Sequence, residues 1–309
     1  MSMAETTRVV VLGGGHGMAA VLAALRDAPV DLTAIVTTAD DGGSSGDLRR
    51  RFGGPAVGDL RRSLIALSDG ANLLATVMSR PLDTRYGRHP VGNLLIQSLT
   101  DSLGDLEASS RWLGQWLGIS GCVLPASVEP VRLLGDTGER LIAGESAIGT
   151  TLDRIVRLRF DPQWPRTPLA AVQAIQAADW VLLAPGSLYT STLATGALPQ
   201  IVSALARTAA RVLWLCNLEA GRGETVGMTA ADHLSTLRNH GVRADEVLYD
   251  PEAELHFDAR TLARNRIAGS GWPLQAGRRA VHDPNLLGAA LESVFGAESS
   301  LESVVARAF

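Results

Sequence analysis

Two adjacent carboxylates, Asp40-Asp41, open the stretch Asp40-Asp41-Gly42-Gly43-Ser44-Ser45-Gly46, and a third follows in Gly58-Asp59. Neighbouring carboxylates repel each other unless a cation, a sugar hydroxyl or backbone donors offset the charge. The glycines and serines behind them supply close backbone approach and hydroxyls without bulk, which suits a ligand loop, although Asp-Asp-Gly is also ordinary turn sequence. A second cluster, Gly13-Gly14-Gly15-His16-Gly17, follows the apolar run Val9–Leu12 and precedes helical sequence. Glycines there let the backbone turn sharply, and the amides that start the helix can point at a phosphate. Met18 stands where a dinucleotide fingerprint would want its third glycine, and a Walker Gly-Lys-Ser/Thr is absent, so neither motif applies. Pro185-Gly186-Ser187-Leu188-Tyr189-Thr190-Ser191 repeats the pattern of strand, glycine and hydroxyl-rich helix start. It reads as a second anion site, with N-capping by Ser187 or Thr190 as the plainer alternative.

Asn93, in Val91-Gly92-Asn93, is placed to reach polar atoms of a base or sugar, and Asn217 begins a loop containing Gly221, Gly223, Glu224 and Thr225. Asp59 either caps its helix or meets a ligand or metal. His89, followed by Pro90, reads as a turn residue rather than a base. Asp232-His233 are neighbours on a helix and point in different directions, which favours a structural role over an acid/base couple. The arginines of Leu48–Arg51 read as a solvated helix face, and Trp112 and Trp116, four residues apart, as core.

These residues need a scaffold. Val9–Leu12 and Leu32–Thr37 are buried-strand sequence around a helix at Met18–Arg26, a β-α-β opening that implies a parallel sheet with right-handed crossovers. Strands at Trp180–Leu183 and Val212–Leu215 follow helical sequence at Leu169–Ala177 and Leu198–Arg207, so the alternation resumes there. Between the halves, Asp59–Leu67, Asn72–Ser79, Gly92–Leu103 and Leu106–Leu117 read as helices covering the sheet ends. Short strands with turns, Val131–Leu134, Arg140–Ala143 and Ile155–Phe160, mark a β-rich insertion at about residues 119–160 within a single domain spanning 1–309. Asn285–Phe295 and Leu301–Ala308 read as two closing helices, the first capped by Asp283-Pro284. The fold class is α/β, a mostly parallel sheet flanked by helices. Its loops at Gly13, Asp40 and Gly186 should meet at the carboxyl edge of that sheet, where ligands bind.

Composition narrows the function. With 309 residues, 46% of them hydrophobic, the chain can bury a sizeable core. Its formal charge of −4, from 28 basic and 32 acidic residues mixed along the chain, offers no polybasic footprint for nucleic acid or anionic lipid. Cys122 and Cys216 belong to no metal-spaced cluster and read as core thiols. Without a signal-peptide pattern or a run of about 18 apolar residues, the chain reads as soluble and cytoplasmic, with no membrane insertion.

The motifs together resemble the YvcK family of CofD-like proteins, the gluconeogenesis factors. The resemblance is carried in order by Gly13–Gly17, Ala34-Ile35-Val36 with Asp40–Gly46, Gly58-Asp59-Leu60-Arg61, Val91–Leu95, Gly144-Glu145-Ser146 and Pro185–Ser191, then by Cys216-Asn217-Leu218, Gly223-Glu224-Thr225, Asp232-His233 and His282-Asp283-Pro284. It implies a Rossmann-like CofD fold and a regulatory protein that binds UDP-sugars, notably UDP-N-acetylglucosamine, linked to cell shape, envelope synthesis and gluconeogenic growth, with unidentified protein partners. On that reading the ligand is held by Gly13, Gly14, Gly15, His16, Gly17, Asp40, Asp41, Gly42, Gly43, Ser44, Ser45, Asn93, Gly186, Ser187, Leu188, Tyr189, Thr190 and Asn217. No cofactor is required and no catalytic residue is implied, while Mg2+ at Asp41 and Asp59 and a homodimer are allowed. The enzymatic relatives transfer 2-phospholactate to a deazaflavin precursor, and a transferase alternative would place Asp40, Asp41 and Asp59 at its centre. The chain departs from the family at His16, usually threonine, at Val57, commonly proline, at Glu219–Arg222, and at Val281, where arginine is common. Arg278 or Arg279 would then have to serve for the missing arginine.

Overall fold

The computed structural model describes residues 6–85, 87–277 and 280–305, so Arg278 and Arg279 lie outside the described residues. The chain starts with β1 (Thr7–Gly13), α1 (Gly15–Leu25) and β2 (Val30–Val36), then α2 (Gly43–Phe52), α3 (Gly58–Leu67) and α4 (Leu73–Ser79). A hairpin of β3 (Pro81–Thr84) and β4 (Gly87–Pro90) leads into α5 (Val91–Leu103), α6 (Leu106–Leu117) and β5 (Cys122–Pro125). Next come β6 (Arg132–Asp136), β7 (Leu141–Ala143), α7 (Glu145–Thr150), β8 (Arg157–Asp161), α8 (Leu169–Ala177) and β9 (Trp180–Leu183). A π-helical turn, Leu188–Thr192, runs into α9 (Leu193–Gly196), followed by α10 (Pro199–Arg207), β10 (Arg211–Leu215), α11 (Ala230–Asn239), β11 (Glu246–Tyr249), α12 (Ala259–Asn265), β12 (Ala268–Gly271) and α13 (Pro284–Val305).

Seven strands form one sheet in the order β12-β11-β10-β9-β1-β2-β5, every neighbouring pair parallel. The order explains the sequence of β1. Val9, Val10, Val11 and Leu12 are all at most 2% exposed, as a central strand covered on both faces requires. Val9 and Val11 face a layer containing α1, α3, α6 and α13, whereas Val10 and Leu12 face α8, α10, α11 and the small sheet. Helices α3 and α6 therefore lie on a sheet face rather than over its ends, because Leu60, Leu64, Leu113 and Leu117 have strand residues to cover.

The small antiparallel sheet, β7-β6-β8, holds the three strands expected of the β-rich segment, and it begins at Arg132. Cys122–Pro125, which the pattern grouped with it, instead pairs with β2 as an edge strand of the main sheet. The carboxyl end of the chain is one helix, α13, rather than two, and residues 306–309, including Ala308, lie outside the described residues. No proline interrupts it, and Asp283 caps it through the amides of Asn285 and Leu286 as expected.

Trp112 and Trp116 are not core. They are 39% and 64% exposed and stack on each other at 4.9 Å, because the stripe that turns inward on α6 is Leu106, Leu113 and Leu117. Spacing of four puts two residues on one face, but only the neighbours decide which face is buried. Among the described residues no helix is long and apolar enough to cross a membrane.

Candidate functional site

The sheet order places a switch point between β1 and β9: successive strands run outward from β1 through β2 to β5, and from β9 through β10 and β11 to β12. The loops leaving β1 and β9 part there, opening the crevice in which doubly wound sheets bind ligands. Those loops are the two glycine segments singled out in the sequence, Gly13–Gly17 and Pro185–Ser191. They touch where Gly17 meets Pro185: a β-carbon on Gly17 would overlap the Pro185 carbonyl oxygen and lie 2.7 Å from its carbon. Asn217, beyond β10, clasps Gly186 from the other side: its Oδ1 accepts the Gly186 amide at 2.8 Å and its Nδ2 donates to the Gly186 carbonyl. Asn217→Ala removes both bonds and is expected to cost about 2 kcal/mol, because a partly buried amide and carbonyl lose their partners. Urea denaturation checks this; an unchanged midpoint would mean the clasp is incidental.

Between these loops lies a cleft of about 390 Å³ lined by His16, Gly17, Gly186, Ser187, Asn217, Glu224 and His282. His282 Nε2 donates to the Cys216 carbonyl at 3.2 Å, and burial holds its ring below the ordinary histidine pKa. A larger cavity of about 550 Å³ lies behind Tyr189 and Glu224, lined by Arg154, Ile155, Thr236 and His240. It lies away from the strand ends at the switch point, so the smaller cleft is the better candidate.

Internal carboxylates meet the helix starts around the crevice. Asp59 accepts the Gly15 amide at 3.0 Å and pairs with Arg62, so it serves the start of α1 and not its own helix, whose cap is Val57 without a side-chain bond. Asp59 is 7% exposed, and that burial raises its pKa, with Arg62 opposing and Asp40 adding to the rise. Both oxygens of Asp41 cap α7, accepting the Glu145 and Ser146 amides at 2.9 Å each. Glu224 accepts the Tyr189 amide at 3.1 Å. Burial pushes its pKa up to about 7 despite that bond, and Glu145, raised to about 7 by burial and by Asp40 and Asp41, adds to the effect.

The paired-aspartate loop forms a second cluster beside this cleft and is not part of its lining. Asp40 accepts the Gly42 amide at 2.9 Å, making the turn. Arg49 is no solvated residue: its guanidinium donates to the carbonyls of Ala39, Asp40 and Val131 and staples the loop in place. Ser45 packs against Gly58, where any β-carbon would overlap its hydroxyl. Ser44 joins His89 Nδ1 at 2.8 Å and receives Asn93 Nδ2 at 2.9 Å. His89 lies on β4, buried, rather than in a turn, and Asn93 is 2% exposed, with Nδ2 in this interior network and Oδ1 buried without a partner.

The remaining sequence-predicted residues divide clearly. Leu188 and Tyr189 point their side chains into the core, Tyr189 donating to the Ile155 carbonyl at 2.8 Å, while Thr190 is buried and bonds the Glu145 side chain. Ser187 is exposed at the cleft and makes no capping bond. Asp232 forms a capping box with Thr229, and His233 Nδ1 bonds the Thr229 carbonyl, the structural roles expected of that pair. Glu145 and Glu224 were given no role of their own by sequence reasoning, although Gly144-Glu145-Ser146 and Gly223-Glu224-Thr225 recur among the motifs.

A metal at Asp41 and Asp59 fits poorly. The two oxygens of Asp41 already take backbone amides, those of Asp59 take an amide and a guanidinium, and among the described residues no three His, Cys, Asp or Glu side chains are arranged to hold an ion.

Residues 9–270 match the family described as 2-phospho-L-lactate transferase CofD. The Gluconeogenesis factor of Halalkalibacterium halodurans is 38% identical over 235 residues, covering 75% of this chain and 73% of its own, and that of Bacillus subtilis is 35% identical over 241 residues, covering 77% and 76%. A crystal structure of a UPF0052 family protein from Bacillus halodurans superposes with a TM-score of 0.89 at 32% identity, over 93% of this chain and 99% of that one. The matched span holds both glycine loops, the aspartate loop and the Glu224 segment, and with these similarities the chain belongs to the CofD family, in its gluconeogenesis-factor (YvcK) branch.

Proposed function

We propose that the chain is a nucleotide-sugar-binding regulatory protein. Its cleft would take a UDP-sugar, UDP-N-acetylglucosamine in particular, and occupancy would inform partner proteins that govern envelope synthesis, cell shape and growth on gluconeogenic carbon. The observation that carries the reading is the cleft at the switch point. It borders the first turn of α1, where the amides of His16 and Gly17 have no intrahelical acceptor and the helix dipole favours an anion. A diphosphate there leaves Ser187 and the Asn217–Thr225 segment for the groups at its two ends. The relatives' names support a role in gluconeogenic growth. A CofD-type transfer, the reading that the family description suggests, would need aspartates free to hold a metal, and the commitments of Asp41 and Asp59 weigh against it.

Isothermal titration of the purified protein with UDP-N-acetylglucosamine, with and without magnesium, is the test. Saturable one-to-one binding is expected in both conditions. Absence of binding in both would defeat the proposal, and binding seen only with magnesium would return weight to the transferase reading.

A further inference from the structure

The start of the Leu188–Thr192 turn has the form of a phosphate seat: strand β9, then Gly186, then amides facing the crevice. A carboxylate of the chain itself fills it. Oε1 of Glu224 accepts the Tyr189 amide at 3.1 Å, and the neighbouring amides of Leu188 and Thr190 favour its charged form electrostatically. The other oxygen, Oε2, is buried without any hydrogen-bond partner, in a residue 7% exposed that lines the cleft. Glu224 is not easily withdrawn. A β-carbon on neighbouring Gly223 would overlap the Gly149 carbonyl oxygen, and Gly221 is tied to Thr225 through a 2.8 Å bond, so the segment is pressed against the end of α7.

We propose that Glu224 is the specificity-determining residue of the cleft: it fills the second anion seat from within, confines the ligand's diphosphate to the start of α1, and offers Oε2–H to the ligand. This rests on the nucleotide-sugar reading above. A buried carboxylate facing a diphosphate would add repulsion to an unpaired oxygen, whereas the neutral acid supplies the donor that Oε2 lacks. The pKa of about 7 puts that neutral form within reach near neutrality.

The groups around Glu224 bear on the same proton. Glu145 on α7 disfavours ionisation of Glu224, and Arg154 and Asp232 border the cavity behind it. The Tyr189 phenol is pushed up by burial and stays protonated, while burial holds His282 low and so favours its neutral imidazole. His16, Glu219 and Arg222 complete the facing wall. The diphosphate diester of a UDP-sugar has no proton to lose in this range.

The experiment is titration calorimetry of the full chain with UDP-N-acetylglucosamine from about pH 6 to about pH 8.5, repeated in buffers of different ionisation enthalpy. The wild type is expected to weaken up to about tenfold per pH unit above about 7, and to take up close to one proton per ligand at the alkaline end. Glu224→Gln, which keeps the shape and supplies a permanent donor, is expected to bind with a flat profile and more tightly than the wild type at alkaline pH. Wild-type affinity that is constant across the range, with no proton uptake, overturns the inference and leaves the nucleotide-sugar reading standing. A slope that persists in Glu224→Gln and vanishes in His16→Asn overturns it as well. No binding at any pH defeats both. If the Glu224 variant does not fold, His16→Asn decides: proton uptake that persists in it supports the inference, and uptake lost in it overturns it.

Discussion

Gly17→Ala is expected to destabilise the protein by about 3 kcal/mol and to eliminate ligand binding, although alanine is the better helix former. The position lies in the first turn of α1, where exchanging glycine for alanine would ordinarily add about 1 kcal/mol of stability. Here the added carbon overlaps the Pro185 carbonyl oxygen, and a β-carbon essentially never comes that close to backbone. Relief would require α1 or the Pro185 segment to move. α1 is fixed by Met18, Val21, Leu22 and Leu25, all buried, and the Ala184 amide is bonded to the Leu12 carbonyl on the adjacent strand. Overpacking between two anchored segments costs about 1–3 kcal/mol or more, which outweighs the helical gain. Urea denaturation beside Gly70→Ala, where a β-carbon meets nothing within 4 Å, gives the comparison. Equal midpoints for the two variants would show that the loops are not packed as described.

The second large effect is a loss of stability with rising pH that Glu224→Gln removes. Glu224 is raised from 4.5 to about 7 by burial, so between those values the folded state binds a proton that the unfolded chain releases. Stability from this group is therefore complete below about pH 4.5 and is lost as pH rises through about 7, by about 3 kcal/mol for a shift of this size. Glu145 and Asp59, also raised, act in the same direction. His233, His240 and His282 are held low by burial and act oppositely, adding stability as pH rises through the unfolded histidine value. The wild-type curve mixes these terms, and the difference between wild type and Glu224→Gln isolates one of them. The variant is expected to match the wild type at about pH 5 and to exceed it by about 3 kcal/mol at about pH 8, measured by urea denaturation at each pH. A difference that does not change with pH would sink the account.

Much of the scaffold is legible in the sequence because parallel strands covered on both faces must be apolar throughout. Trp180–Leu183, Leu106–Leu117 and Leu169–Ala177 are found where periodicity places them. Strands β11 and β12 escaped it: Ala268–Gly271 is Ala-Gly-Ser-Gly, an edge strand whose only qualification is the hydrogen-bonding row of β11 beside it. The hairpin that holds His89 is similarly polar, and its partnership with Ser44 spans 45 residues. Trp112 and Trp116 show the converse, an apolar pair whose spacing is right for a core and whose position is not.

The candidate site divides along the same line. Glycine followed by a helix start determines that an anion is wanted at the ends of β1 and β9, since the first-turn amides have no acceptor of their own. It does not determine whose anion. Asp59 reaches Gly15 across 44 residues, Asp41 reaches Glu145 across 104, and Glu224 reaches Tyr189 across 35. An amide donates to a carboxylate of the chain as readily as to a phosphate of a ligand, so only the tertiary arrangement could decide which helix starts the protein satisfies itself. Local chemistry sets the demand for charge, and long-range packing sets who meets it.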